Sequence, residues 1–305
     1  MPVSHLRLLS ASKFAYTVTA ATAALALDGK CLGDDHAYGR DVGYLAPPVA
    51  YVGGADLIDA ATVGRIAEGV LIAFRGTLPP TSPNKKQTIL DWVSDLDETG
   101  TDPNQLAQVH GIAGAVHRGF FDGLQVYWNA LMPAVDALFA EAGCPQALYI
   151  TGHSKGGAVA NIAARAFQCL YGGNKEIKVV TFEAARPGDA NFAADYNARI
   201  GNSVRYENDD DIVPHLPPED ELATILADLD ASELLAGGGF LPVGTLQFIE
   251  QDGSLVPQTP GLDEHRLEHI AGCLVLLRFE KIVDAHSIDT TSRVYQAVSA
   301  SGGQS

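Results

Sequence analysis

The segment Gly152-His153-Ser154-Lys155-Gly156 constrains the fold of this chain more than any other. The apolar run at residues 147–151 before it predicts a strand, and the Ala-rich stretch at 158–170 after it predicts a helix. A serine between two glycines at a strand-to-helix turn is typical of a nucleophile elbow, whose sharp bend exposes the hydroxyl and leaves no room for other side chains. The alternative is a glycine turn that carries an incidental serine. The order of strand, turn and helix favours Ser154 as a nucleophile.

Short apolar runs alternate with helical patterns along the rest of the chain. Further strands are expected at residues 70–74, 177–182, 203–206, 246–249 and 274–279, with a terminal helix at 285–298. This alternation is typical of an α/β protein with a mostly parallel central sheet and helices on both faces. Because no internal repeat or low-complexity linker divides the sequence, we expect a single domain over residues 1–305.

An elbow serine needs a base and an acid, which follow it in the order acid, then histidine. Three aspartates, residues 209–211, come two residues after the strand predicted at 203–206, where an acid is well placed to orient a histidine, although the same run also fits a solvated loop. The downstream histidines are His215, His265, His269 and His286. Of these, His286 would follow the last strand and open the terminal helix, the usual place of the base. His265 and His269 could instead be surface residues of one helical turn.

The oxyanion that forms during acyl transfer needs fixed hydrogen-bond donors. The backbone N–H of Lys155, the residue after the nucleophile, supplies one. Thr77 follows the strand predicted at 70–74 and could offer its own N–H and its hydroxyl.

Seven blocks, in order, resemble the class 3 (fungal-type) lipases of the α/β-hydrolase superfamily. They span about residues 70–298 and read VLIAFRGT, TILDWVSDLD, VHRGFFDGL, ALYITGHSKGGAVANIAA, VVTFEAARPGD, SVRYENDDDIVPHLPP and DAHSIDTTSRVYQAV. The resemblance implies that Ser154 is the nucleophile, that Thr77 and Lys155 are the oxyanion donors, and that Asp211, rather than Asp209 or Asp210, pairs with the base His286. It also implies hydrolysis of acylglycerols or related esters through an acyl-enzyme, without metal or cofactor.

Three features depart from that family pattern. Lys155 stands where leucine is usual, which places a cation beside the nucleophile. Glu183 and Ala185 replace the glycine and proline common in the block TFGxPRxG. The segment 78–90 is polar, whereas fungal members carry an apolar lid there. A second lid candidate is the amphipathic stretch 219–235, whose apolar stripe we expect to pack on the core.

Composition limits the partners. A formal charge of −17 argues against nucleic acid and anionic membrane surfaces, and no run is apolar enough to span a bilayer. The four cysteines lack metal-ligand spacing and are expected to be small buried hydrophobes. Residues 14–27 predict an Ala-rich helix or, alternatively, a signal peptide, so a cytoplasmic location is slightly favoured over secretion.

The expected partner is therefore a small-molecule or lipid ester. Phospholipase A1 and feruloyl esterase are alternative activities of the same three residues, and a non-catalytic binding relative is the alternative class.

Overall fold

An eight-stranded sheet forms the centre of the molecule. The computed structural model describes residues 3–18, 41–54, 58–78, 85–86, 88–89, 111–218, 220–227 and 239–301. The strands, in chain order, are β1 (Val49–Gly53), β2 (Asp59–Ile66), β3 (Gly69–Phe74), β4 (Ala147–His153), β5 (Glu176–Phe182), β6 (Gly188–Asp189), β7 (Ser203–Asn208), β8 (Phe240–Leu241), β9 (Thr245–Ile249) and β10 (Leu255–Pro257). Their order in the sheet is β1-β2-β3-β4-β5-β7-β9-β10, and β6 and β8 form a separate pair.

The sheet is mostly parallel, as the sequence predicts. Each neighbouring pair from β3 to β9 is parallel, whereas β1, β2 and β10 add antiparallel edges. Parallel strands place their carboxyl ends at one edge, so the residues that follow β3, β4 and β7 are brought together there.

Helices cover both faces of the sheet. They are α1 (His5–Ala15), α2 (Arg118–Ala140), α3 (Lys155–Tyr171), α4 (Ala190–Arg199), α5 (Asp220–Ala227), α6 (Leu262–Val275), α7 (Phe279–Ala285) and α8 (Arg293–Ala300). Alternate residues of β3 serve the two sides: Val70, Ile72 and Phe74 join the core beneath α2 and α3. Leu71 and Ala73 join the core beneath α1 and α8. Successive side chains of this strand therefore pack into two separate cores, one on each face of the sheet.

The C-terminal region differs from the sequence prediction. The strand predicted at 274–279 is wrong, because Ile270 and Leu274 are buried one helical turn apart at the end of α6. The next three apolar residues, 275–277, are 70%, 60% and 64% exposed. A short apolar run does not by itself distinguish a strand from the end of a buried helix. The terminal helix predicted at 285–298 is also broken, since α7 ends at Ala285 and α8 begins only at Arg293.

The remaining predicted segments are only partly described. Of the helix predicted over 14–27, α1 includes only Phe14 and Ala15, and residues 19–40 lie outside the described part. Within 219–235 the structure describes α5, in which Leu222 and Leu226 are buried in the core, as predicted for the apolar stripe. Most of the lid candidate 78–90 also lies outside the described residues. Among the helices that are described, none combines the length and the apolar character needed to cross a bilayer.

Candidate active site

Ser154 lies on a sharp turn between β4 and α3. Its backbone has φ 60° and ψ −136°, a conformation that residues other than glycine rarely adopt. A side chain on Gly152 would overlap the backbone of Gly156, and one on Gly156 would overlap the backbone of Phe74. The two glycines are therefore required for the reason that the sequence suggests, and the turn has the geometry of a nucleophile elbow.

The loop after β3 lies directly against this turn. A Cβ on Gly76 would lie 3.0 Å from Ser154 Cβ and 2.7 Å from the His153 carbonyl oxygen. This close approach places Thr77 beside the nucleophile, and Thr77 and Ser154 line the same cavity. Lys155 is the first residue of α3, where backbone N–H groups have no carbonyl partner within the helix. The two predicted oxyanion donors thus flank the serine.

The side chain of Lys155 is held by an ion pair. Its Nζ lies 2.8 Å from Oδ1 of Asp59, the buried first residue of β2. The positive charge of the ammonium group is therefore balanced by a carboxylate on β2, two strands away from β4 in the sheet. This contact gives a structural reason for lysine at a position where the family usually has leucine.

The three aspartates after β7 each have a different partner. All three are buried, so the solvated-loop alternative is wrong. The contacts, each 2.8 Å between a carboxylate oxygen and a nitrogen, join Asp209 with His269, Asp210 with Lys281, and Asp211 with His286. Asp211 also accepts a 2.9 Å hydrogen bond from the backbone N–H of Val213, which fixes its orientation. Of the three, Asp211 is the residue that contacts the predicted base.

His286 lies at the carboxyl end of α7, as its C-cap, and not after a strand as the sequence suggests. Its ring is buried and its Nδ1 contacts Asp211, so Nε2 is the nitrogen suited to take a proton from the serine. His286 and Ser154 line the same cavity. His265 is exposed on α6 and His269 pairs with Asp209, so the geometry favours His286 over both.

His215 is the remaining downstream histidine, and it lies in the short helix Val213–His215. Burial, together with Arg266 and Arg186, lowers the pKa of His215 well below its usual range. Its ring is buried and its two nitrogens have no hydrogen-bond partner among the described residues. These surroundings are those of a neutral core histidine.

A cavity of about 730 Å³ contains this arrangement. Besides Ser154, His286 and Thr77, its wall includes Phe14 and Tyr16 from α1 and the turn after it. The Tyr16 hydroxyl lies 2.7 Å from Nδ1 of His153, the residue before the nucleophile. Sequence reasoning does not find this role of the N-terminal helix, because nothing in its local pattern indicates which strands it covers.

Glu183 is a further acidic group beside the base, directly after β5. The side chain is fully buried, and Oε2 lies 3.3 Å from His153 Nε2 and 3.9 Å from His286 Nδ1. Burial and the neighbouring Asp211 raise the pKa of Glu183 well above its usual range. Its φ of 52° is left-handed, which costs a residue with a side chain about 1–2 kcal/mol. The one sign of this group in the sequence is that glutamate replaces the glycine common at position 183.

Two groups of described side chains bring three potential metal ligands within 4.8 Å of one another. They are His153, Glu183 and His286, and separately Asp209, His265 and His269. In both groups hydrogen bonds between carboxylate and imidazole account for the close approach.

Comparisons with known proteins agree with this geometry. The family described as Lipase (class 3) matches residues 71–221. A lipase of Caenorhabditis elegans is 29% identical over 158 residues, which are 51% of this chain and 40% of that protein. A lipase of Rhizomucor miehei is 30% identical over 154 residues, 49% of this chain and 38% of that protein. Each match thus spans about two fifths of the relative's own length.

The fold agrees as well. The native propeptide complex of Rhizomucor miehei lipase superposes with a TM-score of 0.55 at 24% identity, covering 80% of this chain and 66% of that one. With its strand–elbow–helix unit and its mostly parallel sheet, the chain has the α/β-hydrolase fold, and its residues 71–221 belong to the class 3 lipase family.

Proposed function

We propose that this protein hydrolyses carboxylic esters through an acyl-enzyme formed on Ser154. The observation that carries the proposal is the 2.8 Å contact between Asp211 Oδ2 and His286 Nδ1, at a cavity that Ser154 also lines. A serine hydroxyl is a weak nucleophile until a base removes its proton. A buried carboxylate on Nδ1 sets the tautomer of the histidine and stabilises the imidazolium that forms.

The reaction follows from these positions. Ser154 Oγ attacks the ester carbonyl carbon as His286 Nε2 takes the hydroxyl proton, and the carbonyl oxygen becomes an oxyanion beside the Lys155 N–H and Thr77. His286 then gives its proton to the leaving alkoxide, and the alcohol departs. Water attacks the acyl-enzyme with His286 again as base, which releases the carboxylic acid and returns the proton to Ser154. Besides the ester and water, these steps need only Ser154, His286, Asp211 and the two oxyanion donors.

We propose acylglycerols or related esters as the substrate class. The similarity to proteins named lipases supports this class, and a cavity of about 730 Å³ has the size of a typical small-molecule site. Phospholipase A1 and feruloyl esterase remain alternative activities, because the same three residues would serve them. A panel of glycerol, phosphoglyceride and feruloyl esters separates the three.

A fluorophosphonate probe tests the enzyme class directly, because it labels a serine that a base activates. We expect mass spectrometry to find the label on Ser154 of the wild type, no label on Ser154→Ala, and much slower labelling of His286→Ala. Ser154→Ala should also lose ester hydrolysis and keep a wild-type melting temperature, since the hydroxyl contributes little to stability. A folded wild type that neither takes the label nor hydrolyses esters would be a binding relative and not an enzyme.

A further inference from the structure

We propose that Glu183 is a positioning residue for the base, acting through Asn208 and His153 on the backbone that carries His286. The inference rests on the proposed function, because it assigns His286 the role of base. It goes beyond that function because it assigns a role to Glu183, a buried acid that is not one of the three predicted residues Ser154, Asp211 and His286.

Two side chains hold the backbone carbonyls at the end of α7. Asn208 Nδ2 donates a 2.6 Å hydrogen bond to the Ala285 carbonyl oxygen, and His153 Nε2 donates a 2.9 Å hydrogen bond to the His286 carbonyl oxygen. These carbonyls belong to the base and to the residue before it. Their two donors therefore determine where the His286 backbone lies relative to Ser154.

Glu183 contacts both of these donors. Its Oε1 accepts a hydrogen bond from Asn208 Nδ2, and its Oε2 lies 3.3 Å from His153 Nε2. One carboxyl group thus joins the two donors that hold the base, which come from different strands of the sheet. Removing it would leave each donor with its carbonyl contact but without the group that links them.

The tautomer of His153 supports the direction of these hydrogen bonds. Burial and the nearby His286 lower the pKa of His153 well below its usual range, so the ring is neutral. The Tyr16 hydroxyl, 2.7 Å away, donates to Nδ1, which leaves the proton of His153 on Nε2. That proton faces the His286 carbonyl and Glu183, as the proposal requires.

The charge around Glu183 explains how it sits beside Asp211 without competing for the base. The groups that face it are His153 at the end of β4, Asn208 and Asp211 at the end of β7, His286 after α7, and at longer range Arg293 on α8 and Glu207 on β7. Burial and the neighbouring Asp211 raise the pKa of Glu183 well above its usual range, which disfavours its charged form at this position. Asp211 Oδ2 lies 2.8 Å from His286 Nδ1, whereas Glu183 Oε2 lies 3.9 Å away, so Asp211 is the acid that contacts the base.

Glycine is the most informative replacement at this position. At φ 52° a glycine relieves the backbone strain and also removes a buried carboxyl group. A residue retained for structure alone would give way to glycine without loss of turnover, whereas a positioning residue would not. Glu183→Gly therefore separates the two roles.

The experiment compares steady-state hydrolysis of a soluble p-nitrophenyl ester by purified full-length variants. We expect Glu183→Gly to lower kcat by at least about tenfold with KM within about twofold, because a misplaced base slows chemistry and not binding. Glu183→Gln should fall between glycine and wild type, since its oxygen still accepts from Asn208 while its NH₂ group faces the His153 donor. A kcat of Glu183→Gly equal to that of the wild type would overturn the proposal.

A matched control accounts for the loss of a buried carboxyl group as such. Glu207 on β7 is also buried and is paired with Arg205 and Arg266. We expect Glu207→Gln to lower the melting temperature and keep kcat. Glu183→Gln should lower kcat and keep the melting temperature. Equal kcat losses in the two variants would make Glu183 a structural acid only. Wild-type turnover and Ser154 labelling report on the proposed function, while the ratio of variant to wild-type kcat reports on Glu183.

Discussion

Asp211 and His286 meet through a 2.8 Å contact between buried side chains that are 75 residues apart in the chain. Asp211→Asn should lower kcat by about 10⁴-fold, because an amide favours the wrong tautomer of the histidine. Steady-state kinetics on a soluble ester measures this, with circular dichroism to show that the fold is retained.

The two neighbouring aspartates are the controls for that measurement. Asp209→Asn should keep kcat close to the wild type, since its contact is with His269 on α6 and not with the base. Asp210→Asn should also keep kcat but should lower the free energy of unfolding by about 2 kcal/mol. It leaves Lys281 and Arg293 without their buried counter-charge, and the effect is moderated because Lys281 is 36% exposed. Equal activity losses at all three positions would show that the loop acts only through its summed charge.

The N-terminal helix should be essential to stability. Leu9 of α1 is fully buried in the core on one face of the sheet, whereas Leu170 on α3 is 50% exposed. Leu9→Ala should lower the free energy of unfolding by about 2–4 kcal/mol, because it leaves a cavity, and Leu170→Ala should change it by less than about 1 kcal/mol. Urea denaturation measures both, and equal small effects would mean that α1 contributes little to folding.

His215 should make the stability depend on pH. Its pKa is lowered in the folded protein, so below about pH 6.5 the unfolded chain binds a proton that the folded protein does not. The stability that this group contributes is therefore present above pH 6.5 and is lost as the pH falls below it. His215→Phe should reduce the slope of unfolding free energy against pH, between pH 5 and 6.5, by up to about 1.4 kcal/mol per pH unit.

The wild type and His215→Phe both contain His153 and Glu183. The contribution of these two groups to the pH dependence therefore cancels when the two slopes are subtracted. Denaturant unfolding at four pH values across this window gives the two slopes. Parallel curves for wild type and variant would show that His215 is protonated equally in the folded and unfolded states.

Interfacial activation should be weak. An enzyme that works at an oil surface needs a mobile cover that presents apolar area once it opens. The candidate cover 78–90 has leucine and isoleucine only near its ends, with prolines, lysines and polar residues between them. The rate on p-nitrophenyl butyrate should therefore rise smoothly through the solubility limit. A sharp increase as the emulsion forms would contradict this and favour residues 219–235 as a lid.

The sequence by itself determined the strand–elbow–helix unit and the alternating strands and helices of a mostly parallel sheet. These features depend on short stretches of sequence. Successive side chains of a strand point to opposite faces of the sheet, and the glycines around Ser154 are required by the turn they form. The resemblance in ordered blocks then selected Asp211 and His286, and the structure places those two side chains in contact. Where the local signal was ambiguous, as in the apolar run at 274–279, the prediction was wrong.

Only the tertiary structure decided which distant side chains meet. Nothing in the local pattern indicates that the three consecutive aspartates take three different partners, or that α1 forms part of the cavity wall. The same holds for Glu183, which the sequence shows only as an unusual residue in a glycine position. Its contacts with His153 and Asn208 arise because parallel strands place their carboxyl ends at one edge of the sheet. Burial at that edge raises the pKa of the Glu183 carboxyl group.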